Sequence, residues 1–353
     1  MPPGHEAEKD ELMNDRGSLP RNVNRRDILR YAAGSTGFAA LRPLAGRSTR
    51  DALATPTDYP FLVVIKHSAG NFGLNTVIPV TLSRYYERRP GLAIAADDAL
   101  DLSAGPVGTS TYRLHPAMTT IQGLFEQGQV ALVNQVGYPK ANLSHFESED
   151  IYSYAVRNGF AGLGMERSGW LARFADRYAP TAMGAVSVGV GRRRDFAGGR
   201  TNSLLLDRLS SFEYQPDWNY RPDHEKRLAT MRQLLASTPR KGLSADVADA
   251  LAQGHELTDQ IQAAVDAYDA LEDRADYVGG EEYEHQIQRN LRGVATLVHQ
   301  GFGTRIYLTG HGGFDTHSNQ GGGEGSHANL LRRMDTGLAA FVQDMKTMGC
   351  LLY

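Results

Sequence analysis

Residues 304–320 read TRIYLTGHGGFDTHSNQ, a short apolar run followed at once by glycines. The run from Thr304 to Thr309 has the length and composition of a buried strand. A glycine-rich loop starts at Gly310, at the carboxyl end of that predicted strand. In open α/β sheets, ligands bind in the crevice at this end of the strands. The stretch therefore predicts an α/β fold with a candidate site in the loop.

Asp315 and His317 are the candidate metal ligands of this loop. They are two positions apart, so their side chains point the same way if the loop is extended. A carboxylate beside an imidazole suits a divalent cation such as Zn²⁺. His311 and His327 are close enough in sequence to add a third nitrogen. The alternative is a polar loop in which Asp315 caps a turn and the histidines face water, because the spacing alone fits both.

The composition is that of an ordinary globular protein. Of 353 residues, 41% are hydrophobic and 22% are charged, with a formal net charge of −3. This gives ample material for a core and no charge excess that would favour nucleic acid or an anionic membrane. The single cysteine, Cys350, excludes an internal disulfide and a cysteine-rich zinc site.

The first 54 residues are predicted to be an export signal and linker. Residues 24–30 read NRRDILR, which resembles the twin-arginine export motif. Residues 31–41 are too short and too weakly apolar to span a bilayer, and Ala52-Leu53-Ala54 offers a cleavage site. We therefore expect the twin-arginine export machinery as a partner and the bacterial periplasm or cell exterior as the location. The alternative is a disordered basic tail with a chance arginine pair.

Residues 55–353 are predicted to form a single α/β domain that is incomplete at its C-terminus. Strand-like apolar runs alternate with amphipathic helices, which favours a mostly parallel sheet sandwiched by helices. The expected strands cover residues 61–67, 130–136, 185–190 and 202–207, besides the run at 304–309. The expected helices cover about 84–89, 117–127, 144–156, 168–174 and 328–348, with a mostly helical insertion at about 223–300. Residues 349–353 look like the start of a further strand, so the C-terminal strands of the sheet are expected to be missing.

Ser144 is the candidate nucleophile, although a simpler role is available. Ser144 and Glu147 form a capping-box pattern at the start of a helix. The same position places a hydroxyl where backbone N–H groups and the helix dipole favour an anion. A metal or a base such as His145 would activate that hydroxyl to attack phosphorus or sulfur. The cap and the nucleophile both remain open at this point.

Several phrases, found in order between about residues 22 and 349, together resemble one family. They are the twin-arginine motif, the loop at 70–76 (GNFGLNT), LHPA at 114–117, VGYP at 136–139, SHFES at 144–148, GWL at 169–171 and GFDTHSNQ at 313–320. The chain resembles the exported bacterial proteins of domain-of-unknown-function family 1501. That family is similar to a distant branch of the alkaline phosphatase and sulfatase superfamily.

The resemblance implies an alkaline-phosphatase-like fold with a serine or threonine nucleophile beside one or two metals held by Asp and His. Asp315 and His317 match the family's Phe-Asp-Thr-His phrase, and Ser144 matches its Ser-His-Phe phrase. The implied cofactor is Zn, Ca or Mn. Phe72 stands where the family's first loop usually carries an Asp, and the later acidic and Asp-His-Gly phrases lie beyond Tyr353.

Two functions are therefore expected. The first is a metal-dependent hydrolase that acts on phosphate or sulfate esters of small molecules or polymers. The second is a non-catalytic exported binding protein with a degraded metal site, because phenylalanine at position 72 cannot ligate a cation.

Overall fold

The computed structural model describes residues 60–350 except 69, 140, 142, 156–167, 180, 182, 192–193, 202, 210–211, 213–222, 238–240 and 278–285. The predicted export signal lies outside the described residues. The strands are β1 (Leu62–His67), β2 (Val77–Ile78), β3 (Leu100–Leu102), β4 (Thr109–Leu114), β5 (Ala185–Val188), β6 (Leu204–Leu206) and β7 (Ile306–His311). The helices are α1 (Gly73–Thr76), α2 (Ser83–Arg88), α3 (Thr119–Glu126), α4 (His145–Tyr154), α5 (Trp170–Tyr178), α6 (His224–Ser237), α7 (Leu243–Asp269), α8 (Gln286–Gln300) and α9 (Ser326–Thr347). Short 3-10 turns occupy Ala96–Asp98 and Arg194–Phe196.

A four-stranded parallel sheet is the centre of the fold. Its strand order is β1-β7-β5-β6, and β1 runs beside β7 in a register that pairs Leu62 with Ile306 and His67 with His311. These four strands confirm the predictions made from the apolar runs. Strand β7 extends to His311, so Gly310 and His311 belong to the strand and the glycine-rich loop starts at Gly312, two positions later than predicted.

Helices cover both faces of this sheet. The side chains of each strand alternate between the two faces, so each strand contributes to the packing on both. On one face, Val63, Tyr307 and Val186 pack against α7, α8 and α9. On the other face, Val64 and Leu308 pack against α5. The predicted sandwich of helices around a parallel sheet is therefore confirmed for the described part of the chain.

A second, three-stranded antiparallel sheet was not predicted. Its order is β2-β4-β3, and it packs through Leu102 and Leu114 against α3 and α9. The strands are only two, three and six residues long, and β4 carries threonine, serine and arginine, so its hydrophobic alternation is weak.

The predicted strand at residues 130–136 is wrong. These residues form no strand, and Val133 and Val136 are 78% and 64% exposed. Val130 and Leu132 instead pack against the cluster between α3 and α9, and Gln135 adopts a left-handed φ of 60°, which interrupts an extended backbone. Val130 and Leu132 are thus partly buried by side-chain packing, although residues 130–136 pair with no strand.

The helical predictions hold with small shifts at the ends. The segment about 223–300 contains α6, α7 and α8. Helix α8 is more than a surface cover, since ten of its residues are buried against the sheet and α9. Gly349 and Cys350 are not in a strand, and residues 351–353 lie outside the description. Within the described ranges, no helix combines the length and apolarity required to traverse a bilayer.

Candidate active site at the carboxyl edge of the sheet

The ends of β1 and β7 bring two distant loops together. Ser68 donates its backbone N–H to the carbonyl of His311 at 3.1 Å, which extends the pairing of the strands by one step. The chain then turns at Gly70, where φ is +93°. The imidazole of His145, from the start of α4, lies directly against this glycine, because a methyl group at Gly70 would stand 2.9 Å from its Cε1 atom.

Asp315 lies between two imidazoles. Its Oδ2 is 2.9 Å from Nε2 of His317, and its Oδ1 is 3.5 Å from Nε2 of His145. The three side chains are 36%, 81% and 49% exposed for Asp315, His317 and His145, so solvent and solutes reach the group. The predicted pair therefore meets the predicted base across the edge of the sheet.

The contact between Asp315 and His317 does not come from an extended loop. His317 has a left-handed φ of 48°, and Thr316 donates its N–H to the carbonyl of Phe314 at 3.0 Å. The condition of an extended loop is therefore not met, and a tight turn instead folds His317 back onto Asp315.

Ser144 caps α4 as its sequence pattern predicts. Its Oγ accepts a hydrogen bond from the N–H of Glu147 at 3.4 Å, and its own backbone is extended at φ −80° and ψ 120°. Since Ser144 immediately precedes His145, its hydroxyl is at the same end of the helix as the group around Asp315. The predicted helix cap is therefore present at Ser144.

His327, the third metal candidate, is buried near the start of α9. Its Nε2 donates to Oδ1 of Asn71 at 3.0 Å, which leaves Nδ1 as the lone-pair nitrogen. That Nδ1 is buried and has no hydrogen-bond partner among the described residues. Only this nitrogen of His327 is thus free to ligate a metal.

His327 belongs to a group of four histidines near Phe314, which we call the histidine cluster: the buried His115, His311 and His327 and the half-buried His67. The ring centroid of His327 is 5.6 Å from that of His115, and the ring of His67 stacks on Phe314 at 4.4 Å. His115 is fully buried and satisfied, because Nδ1 accepts from the N–H of Ala117 and Nε2 donates to the carbonyl of Gly322.

Three members of the histidine cluster, His67, His115 and His327, favour the neutral imidazole. Burial, followed by the proximity of His311 and His327, lowers the pKa of His67 to about 4. Burial and the nearby His115 lower the pKa of His327 to about 4, and burial lowers the pKa of His115. The cluster was missed by sequence reasoning, because its members come from four separate segments. The sequence signals were a histidine at each of two strand ends and the closeness of His311 to His327 in the chain.

The carboxylate of Asp315 and the imidazole of His317 are donor types that bind divalent cations, but two donors are fewer than a complete ligand set. Within the described ranges, no three His, Cys, Asp or Glu side chains are grouped so as to hold a metal ion. Phe72 provides no donor, and the guanidinium of Arg89 lies 5.7 Å from the centre of its ring. Asp315 and His317 fit a cation as a partial set, to be completed by water or substrate oxygens.

A groove of about 460 Å³ lies elsewhere, between α3 and α9. Its lining includes Thr119, Gln127, Gln343 and Lys346 but none of the predicted site residues. The chemistry-bearing side chains are at the sheet edge, so we place the candidate site there.

Comparison with known proteins identifies the family. Residues 131–352 match the family model described as Protein of unknown function (DUF1501). This range contains Ser144, His145, Asp315, His317 and His327. Neither the search of curated proteins nor the search of solved structures found a match. Because the family model covers more than half of the chain, the protein belongs to the DUF1501 family of proteins of unknown function.

Proposed function

We propose that the protein hydrolyses phosphate or sulfate esters at the edge of the sheet, with Ser144 as the nucleophile. The observation that supports this most is the 3.5 Å approach of His145 to Asp315, which joins the segment of the candidate nucleophile to the segment of the candidate metal ligands. The group is exposed, so an ester can reach it.

Each residue of the candidate site has a role in the proposed reaction. Oγ of Ser144 attacks phosphorus or sulfur while His145 accepts the hydroxyl proton. The bond to the leaving alcohol then breaks, and His145 returns that proton to the alcohol oxygen. Water then cleaves the ester on Ser144 and restores the hydroxyl. Asp315 orients the His145 ring, and the N-terminus of α4 stabilises the negative oxygens. A divalent cation bound by Asp315 and His317 would polarise the ester oxygen.

Two substitutions of Ser144 separate the nucleophile from the cap. Asparagine caps a helix about as well as serine, whereas alanine costs about 1 kcal/mol of stability. We expect both Ser144→Asn and Ser144→Ala to abolish release of chromogenic phosphate or sulfate esters in the presence of Zn²⁺, Mn²⁺ or Ca²⁺. Ser148→Ala, on the same helix, is the matched control and should retain activity. Turnover by the unsubstituted chain that does not exceed that of Ser144→Asn overturns the proposal.

A second candidate is a non-catalytic binding protein that has kept the fold. The observation that favours it is Phe72, which lies 6.5 Å from the ring of His327 and offers no metal donor. On this reading, an ester analogue binds but is never cleaved. Binding of a phosphonate without turnover of the matching phosphate supports it, and turnover excludes it.

We also propose export by the twin-arginine route, on the basis of the NRRDILR phrase at residues 24–30. Fusion of residues 1–60 to a reporter that functions only after export tests this. Arg25→Lys with Arg26→Lys should block export, and export that persists in this double variant contradicts the proposal.

A further inference from the structure

Helix α4 carries Ser144 and His145 at its start but has little apolar contact with the sheet. Of its ten residues, Ile151 and Ser153 are the buried ones. Two of its aromatic residues, Phe146 and Tyr152, are 84% and 46% exposed. Apolar burial of this extent holds a helix weakly, so polar contacts must fix its position.

Lys66 supplies those polar contacts from β1. Its ammonium donates to Oγ of Ser153 at 2.8 Å and to Oδ2 of Asp195 at 3.0 Å, and lies 3.4 Å from Oε1 of Glu149. The Lys66 and Asp195 side chains are only 19% and 4% exposed. Removing one partner of a buried pair is far more harmful than removing an exposed one, because a desolvated charge remains.

Asp195 is itself held in place. Ser153 donates to its Oδ2 at 3.1 Å, and the indole N–H of Trp170 donates to its Oδ1 at 3.2 Å. The neighbouring Arg194 forms an ion pair with Asp150 of α4. Lys66 therefore bridges a strand of the sheet, the 3-10 turn that contains Asp195, and α4 at Glu149 and Ser153.

The bridge is aligned with the candidate site. Lys66 is paired with Gly310 in the ladder, one step before the ends of β1 and β7. The same helix that Lys66 holds places the His145 ring against Gly70 and near Asp315. A shift or tilt of α4 on β1 would change the separation of His145 and Asp315.

We infer that Lys66 is a positioning residue: through Ser153, Glu149 and Asp195 it fixes α4 on β1 and so sets the separation of His145 from Asp315. The inference rests on the proposed function for its effect on turnover, but not for its effect on the helix. Lys66 and Ser153 are not themselves a catalytic pair, because Ser153 is 1% exposed and the ammonium is engaged by two carboxylates.

Amide hydrogen exchange of the full chain tests the effect on the helix. We expect Lys66→Met to speed exchange in residues 145–154, which form α4, about tenfold or more, while the strands of the parallel sheet stay protected. Glu149→Gln removes one contact without burying an unpaired charge, so it should give a smaller change in the same residues. The matched control is Arg232→Met, which breaks an exposed ion pair with Asp259 and should leave α4 unchanged. Unchanged exchange in α4 for both Lys66→Met and Glu149→Gln overturns the inference.

A double-mutant cycle with His145 separates positioning from general destabilisation. Small misplacement of a reacting group costs rate rather than substrate affinity, so Lys66→Met should lower kcat about tenfold with little change in KM. In a His145→Gln background the same substitution should lower kcat less than twofold, because the group being positioned is gone. Equal losses in both backgrounds overturn the inference. If the unsubstituted protein turns over no ester, the proposed function fails, and the exchange measurement alone decides whether Lys66 positions α4.

Discussion

His67 and His311 occupy paired positions at the carboxyl ends of β1 and β7, with their rings edge to face and 6.2 Å apart. Nε2 of His67 also lies 2.9 Å from the sulfur of Met334. The imidazole of His67 tolerates protonation poorly in this setting, because its burial and the nearby His311 and His327 oppose a charge on it and lower its pKa.

The first prediction concerns pH. The pKa of His67 is about 4 in the folded protein against the ordinary value of 6.5, so the unfolded chain takes up the proton first as pH falls. The free energy of unfolding should therefore be highest above pH 6.5 and decline towards pH 4, by roughly 1–3 kcal/mol for such a histidine. Urea unfolding at a series of pH values measures this. His67→Phe should make the decline shallower without abolishing it, because the pKa values of His115 and His327 are lowered too; an identical decline in His67→Phe contradicts the assignment.

The second prediction concerns Gly70. Alanine there must adopt a φ of +93° and would bring its methyl group 2.9 Å from the His145 ring. We expect Gly70→Ala to cost about 1 kcal/mol or more in backbone strain and to displace His145, so that ester turnover falls. Gly73→Ala is the matched control, since its Cβ meets nothing within 4 Å. Equal stability and activity of the two variants would show that the close approach is unimportant.

The third prediction concerns Asp344, which is 1% exposed and fixes the end of α7 to α9. Its carboxylate accepts hydrogen bonds from the hydroxyls of Tyr268 and Tyr277 and from the N–H of Ala275. Asp344→Leu would leave these donors buried and unpaired, so it should lower the free energy of unfolding by roughly 2–4 kcal/mol. Asp269→Leu, which removes an exposed partner of Arg292, should cost under about 1 kcal/mol. Similar losses in the two variants, measured by urea unfolding, would refute the ranking.

The fourth prediction concerns the cation. With two protein donors at Asp315 and His317, Zn²⁺ or Mn²⁺ should bind reversibly and be removed by dialysis against a chelator. Asp315→Asn should weaken binding about tenfold or more in a calorimetric titration, and His299→Gln should not. Affinity that survives both Asp315→Asn and His317→Gln would place the cation elsewhere.

The parallel sheet was predictable because helices cover both of its faces, so its strands appear as nearly continuous apolar runs. The same rule failed at residues 130–136, where the run buries only Val130 and Leu132 against another cluster. An apolar pattern indicates which side chains are buried, but it does not indicate whether a neighbouring strand is available for backbone pairing. The small sheet of β2, β3 and β4 was missed since strands this short carry almost no periodic signal.

The sequence predicted contacts of the candidate site only between residues that are close together in the chain. The cap at Ser144 follows from its spacing to Glu147, and the contact of Asp315 with His317 follows from their proximity in the chain. The approach of His145 to Asp315 depends instead on how α4 sits on β1. Lys66 reads in the sequence as an ordinary polar end of a strand, and its role emerges only from tertiary contacts.

Strand β1 sends Lys66 to one face of the sheet and His67 to the other, and each face has its own requirement. An insertion or deletion of a single residue before position 66 would exchange them, which would put an ammonium among aromatic rings and an imidazole against Asp195. Length changes in this strand should therefore be purged in natural variants, while residues 130–136, which no ladder constrains, should accept them. Comparison of length variation between the two segments should therefore show which parts of the chain hold the residues at the edge of the sheet in place.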